Sequence, residues 1–263
     1  MWGFTVFEIL AAAAIVLAPA QVLSRLPAPE AGQGVAVDAG SIYAVDNSQI
    51  ARYDRRTGAK VARFKGDPAL FPHMNSCAVI GRELICAGSN YPKVPMQSRV
   101  EVFDPATLNH LRTQPLPGAP GSLTWVDRYQ AAWWAGFANY DGHGGQPGRD
   151  HTQTTLVRYD DQWRAQTSWT FPPPVLARMA PRSASGGAFG TDGRLYVTGH
   201  DRPELYVLDV PKDGGVLILV ATIPIAIEGQ AIAFDRSAER VLFGVKRSTK
   251  EVVAMKLPPV EGK

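Results

Sequence analysis

Short apolar runs separated by turn residues recur along the whole chain, with the alternation of strands and no helical period outside the leader. Five segments open on a small or polar residue, run through an apolar strand, turn, and enter a second strand. The leading strands are Gly34-Val-Ala-Val-Asp38, Ser76-Cys-Ala-Val-Ile80, Ser122-Leu-Thr-Trp-Val-Asp127, Gly187-Ala-Phe-Gly190 and Gln230-Ala-Ile-Ala-Phe-Asp235. A third strand ends in an apolar residue and Asp at Tyr53-Asp54, Phe103-Asp104, Tyr159-Asp160 and Leu208-Asp209, while the fifth copy has Val252-Val-Ala-Met255 there. Those aspartates are 50, 56 and 49 residues apart, the length of a four-stranded blade.

Fourth strands finish at proline in Leu111–Pro117, Trp169–Pro172 and Leu219–Pro224, with Val61–Phe64 as the variant in the first copy. The last copy has no fourth strand after it, but Val22-Leu-Ser-Arg-Leu-Pro27 near the start has the same apolar-then-proline form. The expectation is an all-β, five-bladed β-propeller over residues 21–263, closed by an N-terminal strand that completes the last blade. Closure removes the open sheet edges that would template aggregation.

In such a ring the connections between blades and the loops from strand two to strand three emerge on one face. The residues carrying chemistry concentrate there. Gln33, Asn75, Ser122, Ser185, Glu228 and Gln230 stand where inner strands begin, and Asn90, Asn139, Arg149, His151, Arg182, His200 and Asp201 occupy the loops. His73, His143, His151 and His200, four of the five histidines, share that face. The third-blade loop, 139–151, is long enough to suggest a role of its own.

Histidine is the neutral-pH proton carrier and a common metal ligand, so His73 or His200 is expected as a base, with Asp201 orienting it. Arg149 and Arg182 suit a carboxylate. The rim amides and hydroxyls read equally as a ligand-pocket floor and as groups that hydrogen-bond one another to finish the inner strands. Asp141 and Asp150 with loop carbonyls offer oxygen ligands for Ca²⁺, and the histidines nitrogen ligands for a transition metal, at the channel mouth. No spacing of a dedicated metal motif occurs.

Composition changes this picture little. Hydrophobic residues make up 45% and charged residues 19% of 263, and the net charge of +3 is scattered, which argues against a nucleic-acid partner. The first twenty residues differ. Ile9–Leu17 is a short apolar run before Ala18-Pro19-Ala20, as in a secretory leader, although no Lys or Arg precedes it. Two outcomes stay open: a cleaved signal peptide with secretion or periplasmic export, or a retained anchor, the one case with a membrane partner. A two-residue turn at Gly81-Arg82 sets Cys77 opposite Cys86, where a cross-strand disulfide or two buried thiols would fit equally.

The repeat, with Leu195-Tyr-Val-Thr-Gly199, resembles the superfamily of NHL, YVTN and quinoprotein-like propellers. Gly32-Gln33-Gly34, Glu228-Gly229 and the stretch 195–206 are similar to segments of glutaminyl cyclotransferases, which implies an exported five-bladed enzyme forming N-terminal pyroglutamate. Gln230 stands where that family has tryptophan, and no residue here matches its catalytic acid. The expected function is therefore an extracytoplasmic propeller that binds, and in one version transforms, a small polar or anionic ligand at the loop face. The alternatives are a cyclotransferase-like enzyme and a non-catalytic scaffold that meets a protein partner through Tyr91 and Tyr140.

Overall fold

The computed structural model describes residues 15–261, so the leader expectation for residues 1–14 lies outside the described residues. Each apolar repeat forms an antiparallel sheet of four strands whose innermost member is buried on both faces. Blade one comprises Gly34–Val37, Ser41–Asp46, Gln49–Asp54 and Lys60–Lys65; blade two His73–Ile80, Glu83–Ser89, Ser98–Phe103 and His110–Leu116. Blade three comprises Ser122–Tyr129, Ala132–Ala138, Thr155–Tyr159 and Ala165–Thr170; blade four Gly186–Phe189, Leu195–Thr198, Glu204–Asp209 and Ile218–Pro224. Blade five takes Ile232–Phe234, Val241–Lys246 and Glu251–Lys256 from one end of the chain and Gln21–Pro27 from the other. This last strand runs antiparallel to Glu251–Lys256 from Gln21 opposite Lys256 to Pro27 opposite Glu251, and closes the ring.

The packing confirms the circle. Five apolar clusters lie among the described residues, one in each seam between neighbouring sheets. Tyr43 and Val45 meet Leu84 and Phe103; Val100 and Val102 meet Leu123 and Phe137; Trp125 and Trp134 meet Phe189 and Tyr206. Val207 and Ile223 meet Leu242 and Met255, and Val35 and Ala44 meet Phe243 and Val252 across the closing seam. Burial of such side chains is the main stabilising term, about 1.5–3 kcal/mol for each large one.

Turn chemistry explains the repeated Asp. Asp54 and Asp104 each accept the backbone N–H three residues on, from Thr57 and Thr107, at 2.7 Å, and Asp160 accepts from Gln162 N at 2.9 Å. The carboxylate thus turns the chain toward the fourth strand. Gly81 takes the left-handed conformation, φ 62°, in the two-residue turn that sets Cys77 opposite Cys86, and a disulfide joins the two.

Two features depart from the sequence reading. Pro173–Met179 is an α-helix, although no helical period is legible there. Its prolines stand in the first turn, where no N–H is needed, and Val175, Leu176 and Met179 fill the seam beside blade four. Two short parallel strands also extend the rims: Gly215–Val216 beside blade three and Ile15–Val16 beside blade four.

Candidate functional site

The channel presents different chemistry at its two ends. Around the middle, Val37, Ala78, Val126, Ala188 and Ala233 from all five inner strands line a space of about 40 Å³ with Asp127 and Arg236. Asp127 accepts from Phe189 N at 2.8 Å and from Arg236 Nη2 at 2.9 Å, and burial raises its carboxyl despite these partners. That pair ties blade three to blade five and satisfies itself.

On the loop face, Gln33, Asn75, Thr124, Ser185 and Gln230 contribute one polar side chain per blade to a second cavity of about 70 Å³. His73, Tyr91, Tyr140, Arg182 and His200 form its wall. Two bulges set this ring. The register slips between Met74 and Cys77 and between Leu123 and Trp125, adding a residue to each inner strand. Asn75 and Thr124 belong to those bulges and reach the channel. Ser122, expected at the rim, instead donates to Ser89 Oγ at 2.8 Å and backs Tyr140.

His73 is held in one tautomer. Its Nδ1–H donates to Asn47 Oδ1 at 2.7 Å, and Asn47 is oriented in turn by its Nδ2–H to Asp46 Oδ1 at 3.0 Å. Nε2 is therefore the lone-pair nitrogen. Burial, with His200 nearby, lowers the imidazole to about 4, so it is neutral at neutral pH. His200 differs. Its Nδ1–H donates to Asp201 at 2.6 Å, as expected of an orienting Asp, but Arg247 Nη1 already donates to its Nε2 at 3.1 Å. His73 keeps a nitrogen available for a ligand and His200 does not. Sequence reasoning missed Arg247 and gave Asn47, at the start of a loop on this face, no role, because each acts from a turn on a histidine distant in sequence.

Aromatic rings line the opening. Tyr91 lies 5.0 Å from His73 and 5.0 Å, edge-on, from Tyr140, with His143 of the long loop at 6.1 Å. The loop reaches Tyr91 because residue 144 is glycine: a Cβ there would sit 2.2 Å from the ring, at φ 78°. Tyr91 and Tyr140, expected at an interface, both face the cavity.

Electrostatically the cavity carries a cation and no carboxylate. Among the described residues Arg182 makes no ion pair, and its side chain has one polar contact, with Tyr91 Oη at 3.4 Å. Asn75 is 4% exposed, and its Nδ2 has no hydrogen-bond partner among the described residues. Most buried polar groups find partners, so this amide marks a place where a ligand or water accepts.

The other sequence-selected residues serve the loops. Asn90 accepts from Gln97 N and donates to Pro95 O. Asn139 donates to Pro120 O and Gln153 O, and Arg149 also donates to Pro120 O. Glu228 accepts from Arg247 N at 3.0 Å and from Ser248 Oγ. Asp141, Asp150 and His151 do come together within 4.8 Å. His151 donates to Asp141 at 2.9 Å, and Asp150 caps the turn at Thr152, so hydrogen bonds within the loop account for the cluster.

No protein-family model matches the chain, and no curated protein matches it in sequence. Solved structures match it in shape. A luciferin-regenerating enzyme superposes with TM-score 0.53 at 10% identity, covering 91% of this chain and 97% of that one. The PQQ-bound aldose sugar dehydrogenase of Streptomyces coelicolor superposes with TM-score 0.57 at 12% identity, covering 92% of this chain and 82% of that one. These likenesses are of fold, and the chain shares the β-propeller architecture.

Proposed function

We propose that this chain is an exported propeller that binds a small polar or anionic molecule in the loop-face cavity. The carrying observation is the pairing of the unmet Asn75 amide with the Arg182 guanidinium in a cavity that holds no carboxylate. Both groups donate, and a guanidinium favours a bidentate anion. The same guanidinium disfavours a metal ion there. Export is supported by the Cys77–Cys86 disulfide, which suits an oxidising compartment. It also fits the position of Gln21, so that removal of residues 1–20 would leave the closing strand whole.

The test is thermal unfolding and calorimetry with acetate, propionate, benzoate and sulfate. A ligand that binds only the folded state at a hundred times its Kd adds about 2.7 kcal/mol of stability. The expected result is stabilisation by carboxylates that is lost in Arg182→Met and weakened in Asn75→Ala. No response to any of these anions, with the chain folded, would discard the proposal.

A further inference from the structure

The cavity contains an acceptor as well as donors, and the acceptor defines the ligand further. Asn47 commits Nδ1–H of His73, so Nε2 accepts only from a group that donates. The ring stays neutral at neutral pH because burial holds it down. Arg182 and the free Asn75 amide, on the same cavity, call for oxygen lone pairs. One molecule satisfies all three only if it carries an anionic or carbonyl oxygen and a hydroxyl or N–H close beside it.

Size and charge narrow the choice. About 70 Å³ corresponds to roughly five to seven water-sized positions. A 2-amino acid would bring an ammonium into a cavity that already holds the Arg182 guanidinium, which like-charge repulsion opposes. A 2-oxo acid would turn a second lone pair toward His73 Nε2.

We infer that the ligand is a small 2-hydroxycarboxylate, its hydroxyl donating to His73 Nε2 and its carboxylate lying against Arg182 and the Asn75 amide. This rests on the proposed binding function and adds the ligand class. Glycolate and lactate are the simplest members that fit.

Calorimetry at pH 7 with lactate, glycolate, propionate, pyruvate and alanine tests it. Leaving a buried acceptor unmet costs enough to weaken binding about tenfold. Lactate and glycolate are expected to bind about tenfold tighter than propionate, with pyruvate and alanine weaker still. His73→Phe keeps a ring against Tyr91 and removes the acceptor, so it should bring lactate down to propionate. Asn47→Gly tolerates the left-handed backbone at that position, φ 45°, and frees the imidazole to turn, so it should shrink the preference even if His73→Phe fails to fold. Equal affinities for lactate, propionate and pyruvate, or a preference that survives both substitutions, would overturn the inference while leaving carboxylate binding intact. Failure of every acid to bind the folded wild-type chain would remove both.

Discussion

Arg247 Nη1 and His200 Nε2 lie 3.1 Å apart, and because a guanidinium only donates, the imidazole nitrogen accepts. The ring is bracketed, with Asp201 taking the Nδ1–H on its other side. Burial pushes His200 down, Asp201 pushes it up, and Arg247 and Arg182 push it down again. Arg247→Met should raise the His200 pKa by removing both a cation and a donor to the neutral form. Imidazole resonances followed by NMR against pH would report it. An unmoved titration would show that the contact does not form in solution.

His73 makes stability depend on pH. Its ordinary value is 6.5 and its folded value about 4, so between these the unfolded chain takes up a proton that the native protein refuses. Stability is therefore held above pH 6.5 and lost as pH falls toward 4, by up to about 3 kcal/mol. Urea unfolding at pH 7 and pH 4.5 should show the loss in wild type and a much smaller one in His73→Phe. A parallel fall in both proteins would assign the acid sensitivity to other groups.

Trp125 is fully buried between blades three and four, and a Cβ on Gly187 would stand 2.3 Å from its ring. Gly187→Ala must displace the indole or the inner strand, and should cost about 1–3 kcal/mol. Near-ultraviolet circular dichroism and the melting temperature would register it. Unchanged spectra and Tm would mean that the seam is looser than this packing requires.

Ring closure predicts a sharp boundary for truncation. A chain beginning at Gln21 keeps every rung to Glu251–Lys256 and should fold, whereas one beginning at Ala28 leaves that strand as an unpaired apolar edge. The shorter chain is expected to aggregate or to melt well below the longer one. Equal melting curves by scanning calorimetry would show that the strand is dispensable.

The blades were legible in sequence because both of their signals are local. Alternation marks a strand whatever its partner, and Asp54 and Asp104 bond to a backbone three residues away. The seven rim and wall residues that sequence placed in the cavity, among them Gln33, His73 and Arg182, followed from the order of strands alone. Thr124 did not: at its bulge the inner strand presents Thr124 to the channel and not Ser122, where the polar opening of the strand had pointed. Arg247 was equally hidden: it lies in a turn of blade five and meets His200 of blade four across the seam. Helix Pro173–Met179 escaped because seven residues are too few to show a period.

The strand that latches the circle carries a consequence for how the molecule is made. Arg25 and its partner Glu251 are 226 positions apart, so the earlier segment leaves the ribosome long before the one it pairs with. At ordinary translation speeds that delay is on the order of tens of seconds. During it the early blades must persist with one seam open, and only the arrival of the final rung converts a curved stack into a loop without ends.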